Sequence, residues 1–388
     1  MNVTVIDPGA TLGVLGGGQL GAMFATAARR MGYAIAVWDP DPEAPAHRLA
    51  DYSFTTPFTD PDARKKFVQL VHAVTYEWEN VPADLCEQLE REVPVRPSSR
   101  VLRVIQDRIE QKTFLRARGL AVPKFSVLAS PEELTREVGL AFPLVCKTAT
   151  SGYDGKGQWK ISRAEDCAAV AQELGRTMRP GSRWILEEWL PFEREVSILV
   201  VRGAAGATRT YPLVENVHED GILRQTTVPA DVPVTVAEQA ATMAREAVVA
   251  LDGLGVFCVE LFLMSGGRLL INEIAPRPHN SGHYTLDACT VSQFEQQVRA
   301  LCGLPLGEVR LLSSAVMLNL IGDDVLLATA SPAAHDLFRE PGAVVHLYGK
   351  RATRPKRKMG HISFLAPTSA EALAKASAFR SRLLSTRP

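Results

Sequence analysis

The sequence predicts a protein of mixed class, with an α/β part followed by an α+β part. Its 388 residues exceed what one compact core usually holds and suit two or three domains. Strand and helix patterns alternate over the first block of the chain, which is typical of a parallel sheet. Further along, several strand patterns follow one another without a helix between them, which indicates antiparallel sheets.

The first block, residues 1–105, opens with a βαβ pattern. Residues 11–16 are predicted to form a buried strand, and residues 19–30 a helix, because the apolar side chains of the helix fall on one face. Strands at 33–38 and 74–76 then complete a Rossmann-like domain with a parallel sheet.

The second and third blocks are residues 106–305 and 306–388. A helix predicted over residues 101–118, closed by Gly119, leads into the second block. The strands predicted in the second block cover residues 144–147, 184–188, 195–201, 257–264 and 268–274, and its helices cover 163–178 and 235–252. The elements predicted in the third block are strands at 313–321 and 343–348 and a helix at 369–384. We therefore expect a central domain of antiparallel sheets and helices and a small β-rich domain after it.

Composition excludes several classes of protein. Forty-three basic residues balance 43 acidic ones, which argues against a protein built to coat nucleic acid or an acidic membrane. Because the chain shows neither a signal-peptide pattern nor a long apolar run, we expect a cytoplasmic protein without membrane contact. The six cysteines form no CxxC pair, so the sequence indicates neither a zinc site nor a redox dithiol.

A first glycine motif, GxGxxG, is formed by Gly16, Gly18 and Gly21 between a strand and a helix. Asp39 ends the next strand, where an acid that binds a ribose would lie. The motif is compatible with a dinucleotide site, with a tight turn that only packs helix against strand, and with a phosphate site for another ligand. The sequence pattern alone leaves these three interpretations open.

A second glycine-rich stretch, SGYDGKG at 151–157, lies between two predicted strands and is flanked by Lys147. Such a loop can close over a polyphosphate, with Lys147 and Lys156 adding positive charge, although a plain hairpin with solvated lysines is the alternative. Further on, residues 187–190 end a strand and could offer backbone groups to an adenine ring, with Glu195 placed for the ribose.

Two acids give the strongest pattern. Glu260 and Glu273 lie on strands joined by a short turn, so they can project to one face of an antiparallel pair. Carboxylates side by side repel each other unless a cation lies between them, and Mg²⁺ accepts such ligands together with substrate phosphates. Neutralisation by Arg277 is the alternative. The Pro- and Gly-rich loop 277–283 favours an anion site over a helical HxxxH metal site.

The basic stretch 350–358 contains six basic residues among nine. It could be a solvated loop, a nonspecific nucleic-acid patch or one wall of a pocket for a phosphate monoester. Without this stretch the chain has 37 bases against 43 acids, so the positive charge is local. We therefore expect one small phosphorylated substrate and no nucleic acid partner.

These motifs together resemble the ATP-grasp superfamily and, within it, the N5-carboxyaminoimidazole ribonucleotide synthetases. The resemblance covers nearly the whole chain. It rests on GVLGGGQLG (13–21), TYEWENVP (75–82), QDR with Lys112, FPLVCKTATSGYDGKGQW (142–159), EEWLPFEREVS (187–197), INEIAPRPHNSGHYT (271–285) and GKRATRPKRKMGHI (349–362). It implies an ATP-grasp fold of three domains, with boundaries at 1–105, 106–305 and 306–388. It also implies a homodimer.

The resemblance implies an ATP-dependent C–N ligase that carboxylates 5-aminoimidazole ribonucleotide with bicarbonate, through carboxyphosphate, in purine biosynthesis. The residues that it implies for ATP are Arg108, Lys147, Gly152, Tyr153, Asp154, Gly155, Lys156, Gly157, Gln158, Glu187, Glu188, Trp189, Leu190, Glu195, His218, Asn272 and Glu273. Those implied for the ribonucleotide are Gly18, Gln19, Leu20, Glu77, Tyr153, Asp154, Arg277, Asn280, Ser281, Lys350 and Arg357.

For catalysis, the expected groups are Asp154 and His279 as candidate bases and Arg277 as a stabiliser of negative charge. Glu260 and Glu273 are expected to hold two Mg²⁺ ions, with Mn²⁺ as the alternative metal. Two other activities remain open: a formate-dependent ATP-grasp transformylase, and an oxidoreductase that uses the first glycine motif for NAD.

Overall fold

The computed structural model describes residues 5–136, 139–150, 157–330 and 332–385. Within these ranges the chain forms a four-stranded parallel sheet, a four-stranded antiparallel sheet and a nine-stranded sheet. In the described part of the chain, no helix combines the length and the apolar character needed to cross a membrane. All six cysteines are buried and unpaired.

The parallel sheet is built from the first part of the chain, as predicted. Its elements are β1 (Thr11–Leu15), α1 (Gln19–Arg30), β2 (Ala34–Trp38), β3 (Tyr52–Phe54), α2 (Pro61–Leu70), β4 (Ala73–Tyr76) and α3 (Ala83–Glu90). The strand order is β3-β2-β1-β4, and every neighbouring pair is parallel. Strand β3, which is short and mostly exposed, was not predicted from the sequence.

The single helix predicted over 101–118 is wrong. Two helices occupy this stretch, α4 (Ser99–Gln106) and α5 (Arg108–Ala117), and the residue between them, Asp107, has extended backbone angles. The Asp107 carboxylate accepts hydrogen bonds from the N–H groups of Ile109 and Glu110, at 2.8 and 3.2 Å, so it caps the second helix. Helical periodicity continues across the break, but this local capping bond interrupts the helix and places Arg108 in the first turn of α5.

The small antiparallel sheet follows. Its elements are β5 (Phe125–Leu128), β6 (Leu144–Thr148), β7 (Gln158–Ile161), α6 (Cys167–Thr177) and β8 (Trp184–Glu188). The strand order is β5-β8-β6-β7, with antiparallel pairing throughout, as predicted. The pairing brings Lys147 near the end of β6 and Glu187 on β8 to the same side of the sheet, where their side chains meet.

The nine-stranded sheet is the largest element of the fold. Its central elements are β9 (Arg194–Arg202), β10 (Thr208–Thr210), β11 (Val214–Glu219), β12 (Ile222–Val228), α7 (Val234–Ala250), β13 (Gly255–Leu263), β14 (Leu269–Ala275), α8 (Thr285–Ala288) and α9 (Gln293–Leu301). The hairpin of β11 and β12 was not predicted from the sequence. Asp220 and Gly221 join these strands with positive φ angles of 50° and 76°, which suits the two-residue turn that Asp-Gly favours. This dipeptide was therefore a usable signal.

The C-terminal strands extend the same sheet. The elements are β15 (Ser314–Ile321), α10 (Asp324–Ala330), α11 (Pro332–Arg339), β16 (Ala343–Leu347), β17 (Lys358–Ala366) and α12 (Ser369–Ser385). Strand β15 pairs with β12 and with β17, and β16 pairs with β17 at the edge. Strand β17 was not predicted, because it begins inside the basic stretch. The pairing brings the basic stretch beside the central part of the molecule.

Helix α9 joins the parallel sheet to the large sheet. Its apolar side chains Phe294, Val298 and Leu301 are buried in one cluster with Leu12 of β1 and Phe24 of α1. Burying such side chains stabilises an interface by about 1.5–3 kcal/mol each. The parallel sheet is thereby fixed to the large sheet, and the glycine motif after β1 faces the cleft described below.

Candidate active site

A cleft of about 620 Å³ lies where the three sheets meet. Of the residues predicted for ATP and the metal, the cleft is lined by Arg108, Lys147, Gln158, Glu187, Glu188, Trp189, Leu190, Glu195, His218, Glu260, Asn272 and Glu273. Of those predicted for the ribonucleotide or for catalysis, it is lined by Gln19, Leu20, Glu77, Arg277, His279 and Asn280. Segments far apart in the chain thus contribute to one site.

The glycine motif binds carboxylates of the chain itself. The Gly18 and Gly21 N–H groups donate to the two Glu77 carboxylate oxygens at 2.7 and 2.8 Å, and the Gly17 N–H donates to Asp39 at 2.6 Å. Burial raises the pKa of Glu77, against the effect of these two hydrogen bonds. Because acidic side chains occupy the amides that a pyrophosphate would need, the dinucleotide interpretation is not favoured.

Replacing Gly18 by alanine should destabilise this turn. A Cβ at Gly18 would lie 2.5 Å from a Glu77 carboxylate oxygen, so the carboxylate must move and lose its bonds to the amides. We expect thermal unfolding to report a loss of about 1–3 kcal/mol. Gly175→Ala is the matched control, since Gly175 lies in α6 with open space around its Cβ position and should gain about 0.5–1 kcal/mol. Equal effects at both positions would contradict the role given to Gly18.

Two lysines share one buried carboxylate. Lys147 Nζ lies 2.8 Å from one Glu187 oxygen, and Lys112 Nζ lies 3.0 Å from the other. Burial lowers the pKa of Lys112 to about 8, although Glu187 opposes the shift. Burial alone would raise the pKa of Glu187, but the two ammonium groups outweigh it and lower the pKa to about 2. The cleft therefore has a preformed positive wall that a polyphosphate could use.

The two acids of the strongest sequence pattern face each other. Glu260 of β13 and Glu273 of β14 are direct cross-strand partners, so they project to one face, as predicted; a register shift beside Glu260, which was not predicted, sets them directly opposite. Burial, and after it repulsion from Glu260, raises the pKa of Glu273. Arg108 approaches this pair from α5, with its Nη2 3.7 Å from a Glu273 oxygen. Glu260 and Glu273 thus place two carboxylates opposite each other, and the raised pKa of Glu273 shows that a positive charge is favoured there. Two such carboxylates are ligands that fit a divalent cation.

His279 is engaged at both ring nitrogens. Its Nε2 lies 3.1 Å from Glu260 Oε1, and its Nδ1 accepts a hydrogen bond from the Ser281 N–H at 3.3 Å. The Ser281 hydroxyl also contacts Nδ1 at 2.8 Å and the Ser197 hydroxyl at 2.9 Å, both inside the protein. Neither nitrogen of this ring is therefore available as a base without breaking a contact, and Ser281 lies behind the cleft.

Arg277 is held by an acid that was not predicted from the sequence. Its guanidinium donates to Glu79, and this ion pair raises the pKa of Arg277 against the effect of burial. Gln293 of α9 fixes the loop that follows, because its amide accepts from the His279 N–H and donates to the His279 carbonyl, both at 2.8 Å. Asn280 exchanges amide hydrogen bonds with Asn319 of β15 at 2.7 and 3.2 Å.

Some predicted residues lie at the border of the cleft or outside it. Lys350 Nζ donates to the Lys358 carbonyl at 2.8 Å, and an Arg357 nitrogen donates to the Ala352 carbonyl at 2.9 Å. Neither side chain lines the cleft, whereas Lys358 does. Residues 152–156, and so Asp154 and Lys156, lie outside the described residues. The contacts predicted for these residues stay predictions.

Several residues in or beside the cleft have less distinctive sequence signals and were missed. Lys112 was named only within a motif, and the aromatic side chains Trp78, Phe192 and Phe262 were not assigned to the cleft that they line. Phe192 and Phe262 stack with their ring centroids 4.6 Å apart. This pair gives the cleft an apolar surface suited to a flat base.

Comparison with known proteins places the chain in a family. An ATP-grasp domain model matches residues 113–294, a ribonucleotide synthetase preATP-grasp domain model matches 9–106, and a phosphoribosylaminoimidazole carboxylase C-terminal domain model matches 315–375. The N5-carboxyaminoimidazole ribonucleotide synthase of Bacillus subtilis is 41% identical over 366 residues, which cover 94% of each chain. The chain belongs to the N5-carboxyaminoimidazole ribonucleotide synthase family. The enzyme of that name from Brucella melitensis is 40% identical over 95% of this chain and 99% of its own.

Solved structures of this family share the fold. One N5-carboxyaminoimidazole ribonucleotide synthetase, in its ADP complex, is 38% identical with a TM-score of 0.92 and coverage of 98% of both chains. The Aspergillus clavatus enzyme, in complex with ADP and 5-aminoimidazole ribonucleotide, is 34% identical with a TM-score of 0.86, covering 96% of this chain and 98% of that chain. The predicted family, the ATP-grasp fold and membership of a ligase family are therefore confirmed.

Proposed function

We propose that this protein uses ATP to carboxylate 5-aminoimidazole ribonucleotide with bicarbonate, yielding N5-carboxyaminoimidazole ribonucleotide, ADP and phosphate. The observation that carries the proposal is the opposed pair Glu260 and Glu273, set in one cleft with the lysines on Glu187 and with Arg277. Phosphoryl transfer requires positioning and charge neutralisation, and this cleft supplies groups for both. A relative named N5-carboxyaminoimidazole ribonucleotide synthase matches 94% of this chain.

In this proposal the nucleotide lies along the small antiparallel sheet. Lys147 faces its phosphates, residues 187–190 contact the adenine, and Glu195 with its partner His218 lies at the ribose. Glu260 and Glu273 would hold two Mg²⁺ ions, with Mn²⁺ as the alternative. When bound, these ions supply neutralisation of the phosphate oxygens.

The ribonucleotide lies at the other end of the cleft in this proposal. Glu77, fixed by the glycine amides, faces it, and Arg277 lies between the two substrates. The basic stretch 350–358 supplies positive charge for the phosphate, with Lys358 lining the cleft. A single local positive region in an otherwise mildly acidic chain suits one phosphate monoester.

The proposed chemistry has three steps. A bicarbonate oxygen attacks the γ-phosphorus of ATP, the bond from that phosphorus to the β–γ bridging oxygen breaks, and ADP leaves with carboxyphosphate formed. Carboxyphosphate then releases phosphate and CO₂, and the substrate amine attacks the CO₂ carbon and loses a proton. Lys147 and Arg277 stabilise the negative charge that develops. Both His279 nitrogens are engaged in contacts, and Asp154, which lies outside the described residues, stays the other candidate base.

We also propose a cytoplasmic homodimer whose three domains, 1–105, 106–305 and 306–388, meet at the cleft. Family expectation supports the dimer, and the local charge pattern supports small-molecule substrates over nucleic acid. The continuous pairing of β12 with β15 supports a C-terminal domain that moves with the central sheet.

Release of ADP, assayed while each substrate is omitted in turn, tests this function. With ATP, bicarbonate and 5-aminoimidazole ribonucleotide together, we expect ADP release at about 1–10³ s⁻¹, a typical enzyme range. Without the ribonucleotide or without bicarbonate the rate should fall steeply, and formate should not replace bicarbonate. Turnover with formate would favour the transformylase, and NADH binding without ATP hydrolysis would contradict both ATP-dependent activities.

A further inference from the structure

Two buried histidine rings and a third that is partly exposed stack on one another beside the cleft. The His361 ring lies between the other two, with its centroid 4.4 Å from that of His346 and 4.8 Å from that of His283. The planes of His361 and His346 differ by 12°, and those of His361 and His283 by 30°. His283 and His361 are fully buried, and burial holds the pKa of each well below its usual range, so both rings are neutral.

Each ring of this histidine stack is held by a different part of the fold. The Gln293 amide of α9 contacts His283 Nδ1 at 3.2 Å, and the Tyr348 hydroxyl contacts His361 Nδ1 at 2.9 Å. At the outer end, His346 Nε2 lies 2.9 Å from a carboxylate oxygen of Asp287 in α8. The stack therefore connects α8 and α9 with the edge strand β16 and its neighbour β17 in the large sheet.

A metal site is the first alternative for such a group. Nitrogen and oxygen atoms of Asp287, His346 and His361 lie within 4.8 Å of one another, and His361 Nε2 has no hydrogen-bond partner among the described residues. A metal ion must lie in the plane of each histidine ring, about 2.0–2.1 Å from the nitrogen. Two nearly parallel stacked rings cannot both satisfy this condition for one ion, so stacking is the geometry that the structure supports.

The stack lies at the base of a basic hairpin. His346 and His361 are direct cross-strand partners of β16 and β17. The hairpin turn, residues 348–358, begins at Tyr348, whose N–H donates to the Met359 carbonyl at 3.0 Å, and ends at Lys358 in the cleft. On the other side, His283 ends the loop 277–283, which carries Arg277.

We propose that the histidine stack is a positioning device that fixes the basic hairpin 348–358 against the loop 277–283. It thereby sets the position of Lys358 relative to Arg277 across the ribonucleotide part of the cleft. His361, His346 and Tyr348 act through these cations and do not touch the substrate. The inference rests on the proposed function, because it assigns the hairpin to the ribonucleotide.

The test replaces the middle ring and measures each Michaelis constant separately. We expect His361→Ala to raise the KM for the ribonucleotide at least ~10-fold, while the KM for ATP changes less than ~2-fold, since only one part of the cleft loosens. His361→Phe restores a flat ring and should bring the ribonucleotide KM back to within ~3-fold of the wild-type value. Tyr348→Phe removes the hydroxyl that contacts His361 but keeps the aromatic ring and its packing. This variant should also raise the KM for the ribonucleotide.

Phe364→Ala is the matched control. Phe364 is a buried ring on the same strand, β17, but it packs against Phe379 of α12 away from the cleft. This variant should lower the melting temperature and leave both KM values unchanged. If Phe364→Ala and His361→Ala change the ribonucleotide KM equally, or if His361→Phe fails to restore it, the positioning role is overturned.

Two further outcomes separate the alternatives. Purified wild-type protein with one equivalent of tightly bound zinc that is lost in His361→Phe would overturn the stack in favour of a metal site. Failure of the proposed function looks different, because the wild-type protein would then show no ADP release that depends on the ribonucleotide.

Discussion

Glu273→Ala should abolish ADP formation while the protein remains folded. The substitution removes one of the two opposed carboxylates, and with it the donor set for the divalent cation. A metal ion contributes several kcal/mol of charge stabilisation in such reactions, so we expect the rate of ADP release to fall by at least ~100-fold. Steady-state ADP release and the circular dichroism spectrum measure the two parts of this prediction.

Glu238→Ala is the control for this variant, because Glu238 is an exposed acid on α7. It should leave ADP release unchanged.

The Glu273 carboxylate is also a source of electrostatic repulsion, since its pKa is raised by burial and by Glu260. The Glu273→Ala variant should therefore unfold at the same temperature as the wild type or slightly above it. Retained activity in a folded Glu273→Ala protein would contradict the metal assignment.

Glu187→Gln should destabilise the protein strongly. The substitution leaves the buried ammonium groups of Lys112 and Lys147 without their shared carboxylate. Removing one partner of a buried ion pair typically costs about 3–5 kcal/mol, because the remaining charge stays desolvated. Denaturant unfolding should show this loss as a lower midpoint with an unchanged slope.

The half-exposed pair of Arg194 and Glu215, 2.7 Å apart, provides the comparison. Glu215→Gln should cost less than about 1 kcal/mol, as is usual for pairs near solvent. If Glu187→Gln and Glu215→Gln lowered the free energy of unfolding equally, burial of the Glu187 ion pairs would not explain their contribution to stability.

The same cluster predicts a dependence of stability on pH. The pKa of Glu187 is lowered to about 2 from an ordinary value of 4.5 by Lys112 and Lys147, which outweigh the effect of burial. A carboxyl group with a lowered pKa in the folded state stabilises that state above its unfolded pKa. This contribution should be lost as the pH falls from 4.5 towards 2, and Glu187→Gln should lack that loss.

Much of the site could be predicted from the sequence because its motifs lie at the ends of regular strands. The antiparallel strands joined by a short turn allowed Glu260 and Glu273 to project to one face. Their direct pairing depends on a β-bulge beside Glu260, because regular alternation from the turn would have placed Asn272 opposite Glu260. The glycine motif was located correctly, but the pattern could not show that Glu77 and Asp39 occupy its amides. That outcome depends on the pairing of β1 with β4 and β2, which is a tertiary property.

Other features depend on contacts that no local pattern contains. Periodicity predicted one helix through Asp107, and the capping bond of that side chain made two. The partner of Arg277, Glu79, lies 198 positions away in sequence. The histidine stack likewise assembles from the loop after β14 and from the neighbouring strands β16 and β17. For such groups the sequence shows which side chains are present, but only the folded structure shows which of them are in contact.

The central claim is that bicarbonate is activated by phosphoryl transfer from ATP. Bicarbonate labelled with ¹⁸O, supplied together with ATP and 5-aminoimidazole ribonucleotide, tests this claim most directly, because the attacking oxygen stays on the transferred phosphorus. Mass spectrometry of the released phosphate should show one ¹⁸O atom per turnover, measured before the label exchanges with water. Phosphate that carries no label, formed while the ribonucleotide is carboxylated, would contradict the proposed route through carboxyphosphate.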